Sequence, residues 1–515
     1  MSLKNGGKIK MQRKNILEEL QQYDNITVQC HDNPDADAIA SAFGVYTYFK
    51  ELGKNVRMIY SGKTNQMKSN LKIMVEELHI PAEYVCEMPE SELLVCVDCQ
   101  YGEGNVTRFP AKKIAVLDHH LNAGHTVDYS DIRSAYGSCA TLIYKCLEDC
   151  GYDLKKNKDL STALYYGLFM DTNEFGEMEH PYDFDMVDEL EIDKNILTKM
   201  RNANFTLSEL ETAAVALLRY NYNPEQRIAY IRSNPCDRNM LGVVSDLLIQ
   251  VDSVDTCIVY AEDNDGYRIS ARTCGERVTA EDLVVFLTDK VGNGGGHANK
   301  AGGFIEKKRI KSLGDYTSIE NYIYMKTGQF MDSYEFLDTT KTPVITKDME
   351  CCRQLSNLHL VINPADIMQE GTECYIRHID GNLNFYISFD TYIVINKSGC
   401  VHAIDKTEFE RCYHYADFPF SLEAEYVPKL INTLTNENFD IISAGTACIS
   451  NKTACYYAKR LTKNLRLRNH WDKENGNCQR GKAGDYLLVN MRDEKDCFIV
   501  QKNQYETEYE RLSDE

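Results

Sequence analysis

Residues 25–53 read NITVQCHDNPDADAIASAFGVYTYFKELG, a β-rich run, a polar loop and an amphipathic segment in that order. After the loop, apolar side chains recur at helical spacing, as at Ile39, Phe43 and Phe49, and a glycine follows. The stretch therefore predicts a strand, a loop and a helix. The loop, HDNPDAD at 31–37, lies at the carboxyl end of the predicted strand.

Three more apolar runs end in acidic or imidazole side chains. ELLVCVDC predicts a strand that ends at Asp98, KKIAVLDHH predicts one that ends at 118–120, and ALYYGLFMDT carries an apolar run into Asp171 in the same way. Helical patterns such as SCATLIYKCLEDCG alternate with these runs, so we expect a mostly parallel sheet covered by helices. Ligands collect outside the carboxyl ends of such strands, and all four clusters are expected at that edge.

The length of 515 residues suggests about three domains, at roughly 100–200 residues each. Residues 1–195 are expected to form the α/β domain with the parallel sheet. Residues 215–330 are expected to form a smaller mixed α/β domain, with strands at QRIAYIRS, TCIVYAED and GYRISART. In that domain the glycine-rich stretch GGGHANKAGG, 294–303, is expected to be a loop that returns to a strand. Residues 335–515 are expected to be an α+β extension.

The extension contains two pairs of similar short sequences. YIVIN at 392–396 corresponds to YLLVN at 486–490, and the spacing KxxFExxY at 406–413 returns as KxxYExxY at 502–509. Two related modules, each a β-hairpin and a helix, would explain these matches. Two short matches are nevertheless fewer than a repeat architecture requires, so chance similarity stays open.

Residues 458–482, between the echoed stretches, carry eight Lys or Arg, two acidic residues and the only tryptophan, Trp471. One interpretation is a platform on which phosphates meet the basic side chains and a base stacks on Trp471. The alternative is a solvated helix whose Leu461 and Leu465 pack inward. The sequence leaves both open.

Composition excludes several classes of protein. The net charge of −21 argues against a surface that coats long nucleic acid, because such binding neutralises many phosphates. A short anionic substrate remains allowed, since bound divalent cations and a few arginines can invert the local potential.

No apolar run approaches the roughly 20 residues of a membrane span, and the first residues lack the apolar stretch of a secretory signal. We therefore expect a cytoplasmic protein. The nineteen cysteines include no CxxC pair, so neither a zinc ribbon nor a disulfide framework is encoded.

The acidic clusters have the composition of a metal site. Carboxylate oxygens and imidazole nitrogens without thiolates fit Mn²⁺ or Mg²⁺ better than structural zinc. Two such ions about 3.5–4 Å apart can activate water as a nucleophile and offset the charge that develops on phosphorus. Each residue alone has another explanation: Asp37 as a helix N-cap, Asp171 as the start of a turn, and the glycines as a flexible turn. Only the whole set indicates a two-metal phosphoesterase.

The motifs HDNPDADAIAS, VDCQ, LDHH, LYYGLFMDTNEF, GYRISART and GGGHANKAGG resemble, in this order, the DHH phosphoesterases that carry a DHH-associated domain. Within that family the motifs resemble the branch of short-oligonucleotide exonucleases (nanoRNases, or oligoribonucleases) and 3'-phosphoadenosine 5'-phosphate (pAp) phosphatases. The resemblance covers roughly residues 15–330 and implies two Mn²⁺ ions, with Mg²⁺ or Co²⁺ as substitutes.

The resemblance also implies a role for each matching residue. One ion would be held by His31, Asp35 and Asp98, and the other by Asp37, Asp98, His119 and Asp171. His120 would face the phosphate, and Asp118 would orient the histidine pair. The substrate would be held by Ser270, Arg272, Gly294, Gly295, Gly296 and His297. The segment NEFGEMEHPYDFD after Asp171 departs from the family pattern and is expected to reshape the substrate cleft.

The resemblance also favours a nucleotide substrate. Pyrophosphatases and exopolyphosphatases are built on the same first domain, but their C-terminal domain is different and lacks the GGGH motif. We expect a Mn²⁺-dependent phosphodiesterase or phosphatase that hydrolyses short oligonucleotides or pAp in the cleft between the first two domains. One alternative is a phosphodiesterase for a cyclic dinucleotide such as c-di-AMP. Another is a non-catalytic nucleotide-binding regulator. The expected partners are a short nucleotide and, optionally, a second copy of the chain in a homodimer, with neither long duplex nucleic acid nor membrane.

Overall fold

The computed structural model describes residues 8–9, 14–62, 65, 67–178, 180–236, 238–274, 278–296, 298–313, 316–355, 357–451, 455–469 and 479–512. The chain divides into two units, the first comprising Met1–Phe205 and Asn357–Asn451, and the second Thr206–Ser356 and Lys452–Glu515. Among the described residues, no helix combines the length and the apolar character needed to cross a membrane.

The first part of the chain alternates strands and helices as the sequence predicts. Its elements are β1 (Lys8–Ile9), α1 (Ile16–Leu20), β2 (Asn25–Cys30), α2 (Ala36–Glu51), β3 (Asn55–Tyr60), α3 (Ser69–Glu77), β4 (Ala82–Tyr84), β5 (Ser91–Val97), β6 (Ala111–Asp118), β7 (Tyr129–Ile132), α4 (Cys139–Asp149), α5 (Lys158–Asp171), α6 (Pro181–Glu189) and α7 (Lys194–Arg201).

Six of these strands form one sheet in the order β4-β3-β2-β5-β6-β7, and every pairing is parallel. Its central strands are buried almost continuously, as expected for a parallel sheet with helices on both faces. The predicted parallel sheet is thus confirmed. The chain reverses its direction of winding between β2 and β5, which is the point where ligands collect in such sheets.

One expectation for this part is wrong. The apolar run that ends at Asp171 is the second half of helix α5 and not a strand. A continuous apolar run fits a buried helix as well as a buried strand, so its composition alone does not separate the two. Asp171 is the last residue of the helix, and it reaches the sheet edge from a neighbouring layer.

The second part is a mixed α/β layer structure. Its elements are α8 (Leu207–Leu217), β8 (Tyr220–Asn223), β9 (Ile228–Ser233), α9 (Arg238–Leu248), β10 (Thr256–Asp263), β11 (Gly266–Thr273), α10 (Ala280–Thr288), β12 (Gly292–Gly296), β13 (Lys300–Glu306), α11 (Lys307–Leu313) and α12 (Ile319–Asp332).

The sheet of this part has the order β12-β13-β11-β10-β9-β8, in which only β9 and β10 are parallel. Helices α8 and α9 cover one face, and α10 and α12 cover the other. The mixed sheet agrees with the sequence, with one correction. The three glycines at 294–296 do not begin a loop, because they belong to β12 and pair with β13 in an antiparallel hairpin.

The last part is rich in β-strands. Its elements are β14 (Tyr334–Asp338), β15 (Glu350–Gln354), β16 (Leu358–Ile362), β17 (Glu373–His378), β18 (Gly381–Tyr386), β19 (Thr391–Ile395), β20 (Val401–Asp405), α13 (Lys406–Cys412), β21 (Tyr413–Tyr415), β22 (Ser421–Leu422), β23 (Lys429–Asn432), β24 (Asn438–Asp440), β25 (Thr446–Ser450), β26 (Cys455–Arg460), β27 (Asn464–Arg468), β28 (Gln479–Gly481), β29 (Tyr486–Asn490), β30 (Asp493–Val500), α14 (Lys502–Glu508) and β31 (Tyr509–Arg511).

The similar sequences at 392–413 and 486–509 occupy equivalent places in two five-stranded antiparallel sheets. The orders are β20-β19-β16-β25-β21 in the first unit and β30-β29-β26-β15-β31 in the second. Strand β15 directly precedes β16 but pairs with β26, whereas β25 directly precedes β26 but pairs with β16. The two sheets are therefore related by the exchange of one strand. We call residues 357–451 of the first unit the 357–451 module, and residues 452–512 of the second unit the 452–512 module.

The basic stretch at 458–482 is not the solvated helix that the sequence allows. Its described residues form β26, β27 and β28. Leu461 and Leu465 do point inward, at 8% and 5% exposure, into a core between two sheets. Trp471 lies outside the described residues, so the predicted base-stacking platform stays a prediction.

A buried ion pair joins the 357–451 module to the parallel-sheet part of the first unit. Asp185, on α6, is 3% exposed and accepts hydrogen bonds from Arg377 Nη1 at 2.5 Å and Lys429 Nζ at 2.8 Å. The hydroxyl of Tyr426, itself fully buried, lies 3.1 Å from Asp185 Oδ2. Because Asp185, Arg377 and Tyr426 are buried, they depend on one another and on the partly exposed Lys429 for their hydrogen bonds.

We expect Arg377→Ala to lower the free energy of unfolding by about 3 kcal/mol, because it leaves the buried Asp185 carboxylate short of a charged partner. Urea unfolding followed by fluorescence measures the change. The matched control is Arg57→Ala, which removes an exposed pair with Glu83 and should cost less than about 1 kcal/mol. Equal shifts in the two variants would show that the Asp185 pair does not hold the module.

Candidate metal centre and substrate surface

Three neighbouring parallel strands end at the same level. Cys30 of β2 pairs with Val97 of β5, and Val97 pairs with Leu117 of β6. His31, Asp98 and the residues from Asp118 onward therefore all lie at one edge of the sheet. This register places three of the four predicted clusters side by side.

Asp98 stands between two groups of side chains. Its carboxylate is 2% exposed, with Oδ2 at 3.6 Å from His31 Nε2 and Oδ1 at 3.4 Å from His119 Nε2. Its backbone is left-handed (φ 58°), a conformation that Asp tolerates better than most residues and that turns the chain sharply after β5. A carboxylate with one oxygen toward each group has the geometry of a bridging ligand.

The first group comprises His31, Asp35 and Asp98, whose ligand atoms lie within 4.8 Å of one another. Asp35 is also the N-cap of α2, since its Oδ1 accepts from the N–H of Ala38 at 3.0 Å. Its Oδ2 lies 3.6 Å from His31 Nε2. The capping role that the sequence allowed for Asp37 thus belongs to Asp35.

The second group comprises Asp37, His119 and Asp171, also within 4.8 Å. His119 Nε2 lies 3.2 Å from Asp171 Oδ2 and 3.8 Å from Asp37 Oδ2. The other ring nitrogen, Nδ1, is 3.2 Å from the carbonyl oxygen of Tyr136 and is placed to donate to it. A backbone carbonyl at one nitrogen and carboxylates at the other are typical of a metal-binding histidine.

Asp37 is fixed from the side opposite the cluster. Its two carboxylate oxygens accept from the backbone N–H groups of Cys139 at 2.7 Å and Ala140 at 2.8 Å, at the start of α4. A carboxylate is stabilised there because the first N–H groups of a helix have no partner within the helix. Oδ1 also accepts from Ser41 Oγ at 3.4 Å, whereas Oδ2, which lies toward His119, retains a further lone pair for a cation.

His120 and Asp118 form a hydrogen-bonded pair beside the cluster. His120 Nδ1 lies 2.8 Å from Asp118 Oδ1, and Gln100 Nε2 donates to Asp118 Oδ2 at 2.8 Å. The Asp118 side chain is 2% exposed, whereas that of His120 is 45% exposed. The buried carboxylate thus holds an accessible imidazole. Gln100, in the VDCQ motif, was not singled out in the sequence, although it follows Asp98 closely.

The electrostatics of the cluster favour bound cations. Burial and the negative charges of Asp37 and Asp35 raise the pKa of Asp98 well above its usual value. Burial and the charge of Asp171 raise the pKa of Asp37 to about 7. Burial lowers the pKa of His119. The hydrogen bond with Asp171 and the negative charge of Asp171 outweigh burial and raise the pKa of His119 to about 9. Such shifts are typical of carboxylates crowded together without enough positive charge.

The donor set fits divalent cations on structural grounds. Oδ1 of Asp98 is buried and accepts no hydrogen bond from the described residues. Asp98 belongs to the first group and its Oδ1 lies 3.4 Å from Nε2 of His119 in the second. The donors are carboxylate and imidazole without thiolate, which suits Mn²⁺ or Mg²⁺. His31, Asp35, Asp37, Asp98, His119 and Asp171 would hold the ions.

The segment at 173–185, which departs from the family pattern, fixes a loop next to the cluster. Asp183 is fully buried and accepts from the N–H of Gly137 at 3.1 Å and the hydroxyl of Thr141 at 2.7 Å. These bonds fix the loop that supplies the Tyr136 carbonyl to His119. Burial raises the pKa of Asp183 to about 6. Sequence reasoning did not find this support, because Tyr136 acts through its backbone.

The second unit places two of the predicted substrate residues on one face of its sheet. Ser270 of β11 pairs with Gly302 of β13, which pairs with Gly295 of β12. Arg272 pairs with Lys300 two positions along. Directly paired residues point to the same face, and alternate residues of a strand do so too. Ser270, Arg272, Lys300, Gly295 and Gly302 therefore share a face.

The glycines of β12 differ in the space around the position that a side chain would occupy. A Cβ on Gly294 would lie 2.5 Å from Val284 Cγ1, so close packing on α10 requires glycine there. A Cβ on Gly295 would meet nothing within 4 Å, and one on Gly302 nothing nearer than 3.5 Å. Gly296 has a φ of +152°. Gly295 and Gly302 thus form a bare backbone floor that a ligand can approach closely. His297 lies outside the described residues.

Arg272 is held in place beside this floor. Its side chain is 7% exposed, and its Nε donates to the carboxylate of Asp246 on α9. Its Nη1 donates to Ser270 Oγ at 3.2 Å. The guanidinium is therefore preorganised by a carboxylate and a hydroxyl. The predicted role of Arg272 and Ser270 in substrate binding stays a prediction.

Family comparison agrees with this geometry. Residues 25–168 match the N-terminal domain of the DHH family, and residues 225–316 match the DHHA1 domain. The chain carries an N-terminal domain of the DHH family and a DHHA1 domain. This confirms the resemblance at the level of the family. The clusters at 31–37, Asp98 and 118–120 lie in the DHH domain, and the glycine floor lies in the DHHA1 domain.

Individual relatives are distant. An uncharacterized protein of Methanocaldococcus jannaschii is 25% identical over 301 residues, which are 58% of this DHH-family chain and 61% of that protein. This chain thus covers less than two thirds of that relative's length. The crystal structure of an exopolyphosphatase-related protein from Bacteroides fragilis is similar with a TM-score of 0.46 and 18% identity, over 61% of this chain and 95% of that one.

A third similar structure is RecJ from Thermus thermophilus in complex with Mn²⁺. The TM-score is 0.36 and the identity 11%, over 74% of this chain and 67% of that one. The family assignment of this protein rests on the two domain matches and not on these structural likenesses.

We expect Mn²⁺ to raise the melting temperature of the metal-free protein, because a cation that binds the folded cluster removes the repulsion among its carboxylates. At a hundred times the dissociation constant, the stabilisation is about 2.7 kcal/mol. Asp98→Asn should remove most of the shift, since the Asp98 carboxylate has one oxygen toward His31 and the other toward His119. Scanning calorimetry with EDTA and with Mn²⁺ measures it. Asp24→Asn, at an exposed site, is the control. A full shift in Asp98→Asn would rule out the cluster as the cation site.

Proposed function

We propose that this protein is a Mn²⁺-dependent phosphoester hydrolase that acts on short oligonucleotides or on pAp. The observation that carries the proposal is the placement of Asp98, with one carboxylate oxygen toward His31 and the other toward His119. The DHH and DHHA1 domain matches support hydrolysis of phosphoester bonds, and they leave the substrate open.

Two divalent cations held by these side chains would supply a water of lowered pKa and offset the negative charge that develops on phosphorus. The protein residues position the groups around that water. Tyr136 and Asp183 keep the His119 ring in one orientation, and the start of α4 keeps Asp37 fixed. Asp118 holds the solvent-accessible His120 imidazole beside the cluster, where it would face a phosphate oxygen. Such fixed donors lower the barrier because they need no rearrangement during the reaction.

The face of the DHHA1 sheet supports a nucleotide as the substrate. The bare floor at Gly295 and Gly302 lets a ligand reach the backbone, and Arg272 and Lys300 add positive charge on the same face. An arginine held by Asp246 presents its remaining N–H groups in a fixed direction, which suits a phosphate. The net charge of −21 supports a short substrate over long duplex nucleic acid.

We expect Asp98→Asn to lower kcat for a dinucleotide in Mn²⁺ by more than about a hundredfold, because changes to outer partners of a metal site already cost about 10–100-fold. Release of mononucleotide, followed by chromatography, measures the rate. Asp24→Asn should keep the wild-type rate. Undiminished turnover by Asp98→Asn would refute the proposed mechanism.

We expect Arg272→Ala to raise KM about tenfold with little change in kcat, since it removes a charged hydrogen-bond donor worth about 1.5–3 kcal/mol in ground-state binding. Steady-state kinetics with the same dinucleotide separate the two constants. Arg309→Ala, which removes an exposed arginine of the same unit, is the control. A fall in kcat at constant KM would instead place Arg272 in the chemical step.

We expect pAp or a linear dinucleotide to be hydrolysed faster than c-di-AMP. Product analysis at saturating Mn²⁺ with these three compounds measures the preference. Faster hydrolysis of c-di-AMP would replace the proposed substrate by a cyclic dinucleotide. Binding of all three without turnover would contradict hydrolysis and identify a nucleotide-binding regulator.

A further inference from the structure

Helix α8 carries an apolar surface on the side that faces away from its own sheet. Its buried residues, Ala213 and Ala216, pack into the core between the helices α8 and α9 and the sheet. On the opposite side, Leu207 and Leu218 are 81% and 85% exposed, and Leu210 is 58% exposed. A helix that is apolar on all sides is normally buried on all sides. The outer side of α8 therefore has the character of an interface.

The apolar surface continues beyond the helix. Tyr220, the first residue of β8, pairs with Ile231 of β9, and Ile231 belongs to the same core as Ala213. Paired residues point to the same face of a sheet, so Tyr220 lies on the face that α8 covers. We call this outer surface the α8 face, and its exposed apolar residues are Leu207, Leu210, Val215, Leu218 and Tyr220.

The spacing along α8 favours another helix as the partner. Residues at alternating intervals of three and four form an apolar seam along the helix: Leu207, Leu210, Ala214 and Leu217. This is the spacing of the a and d positions that pack against a facing helix in a coiled coil. Glu211 lies on the flank of the seam and not within it.

The seam is complementary to itself when two helices run in opposite directions. In that arrangement Leu210 of each chain lies opposite Ala214 of the other, so a large side chain meets a small one twice. Leu207 of each chain lies opposite Leu217 of the other in the same register. A two-fold axis requires this reciprocity, because each contact of a symmetric dimer occurs in two equivalent copies.

We propose that the α8 face is a dimer interface, in which the α8 helices of two copies of this chain pack antiparallel. Its exposed apolar residues offer on the order of 600 Å², which matches the apolar part of a standard homodimer interface, about 65% of roughly 800 Å² per partner. The inference does not rest on the proposed function, since α8 carries no candidate metal ligand and no candidate substrate residue.

Sedimentation velocity of the full chain over a range of concentrations tests the proposal. We expect the wild-type chain to form a dimer, and Leu210→Glu to raise its dissociation constant at least tenfold, because a carboxylate would be buried in the seam. The matched control is Leu434→Glu, which changes an 86% exposed leucine of the first unit and should leave the constant unchanged. Circular dichroism should show the same helix content in both variants, since both positions are exposed in the single chain.

A mixing experiment tests the register. Ala214→Lys alone should also weaken the dimer, because the lysine would enter the seam. When equal amounts of Leu210→Glu and Ala214→Lys are mixed, the introduced glutamate of one chain faces the introduced lysine of the other. We therefore expect the mixture to dimerise at least about fivefold more tightly than either variant alone.

Four outcomes would overturn the proposal. A monomeric wild-type chain would leave a partner of different sequence as the occupant of the α8 face. A dimer that Leu210→Glu leaves intact would place the interface elsewhere. Equal weakening by Leu210→Glu and Leu434→Glu would show that only the added charge matters. No gain on mixing would exclude the antiparallel arrangement.

Discussion

The register of three parallel strands is the constraint on which the candidate metal centre depends. Because β2, β5 and β6 end at one level, His31, Asp98 and His119 leave the sheet together. Their proximity crowds negative charge into a buried place, and the raised pKa of Asp98 is the consequence. A divalent cation resolves that conflict better than protons do, since it adds positive charge without removing the ligand lone pairs. The same register that defines the fold thus brings together the residues of the candidate metal centre.

Much of the support for this centre comes from backbone groups and from outside the sheet. The Tyr136 carbonyl fixes His119, the N–H groups at the start of α4 fix Asp37, and Asp183 fixes the loop between them. Asp183 lies on α6, the helix that also carries Asp185 and its buried ion pair with the 357–451 module. Helix α6 therefore carries both the ion pair with that module and the carboxylate that fixes the loop beside His119.

The last part of the chain is organised by strand exchange. Each of two similar sheets takes up the strand that directly precedes the first strand of the other, so the chain passes between the two units twice. One module extends the DHH domain and the other extends the DHHA1 domain.

The sequence by itself determined the parallel sheet, the mixed second domain and the acidic clusters, because strand periodicity and polar strand ends are local properties. It did not determine that Asp171 ends a helix, that Asp35 is the N-cap, or that Gly294 packs on α10 whereas Gly295 is open. Nor did it reveal the exchange of β15 and β25. Those features depend on which faces and strands meet across long sequence separations, and only tertiary packing decides that.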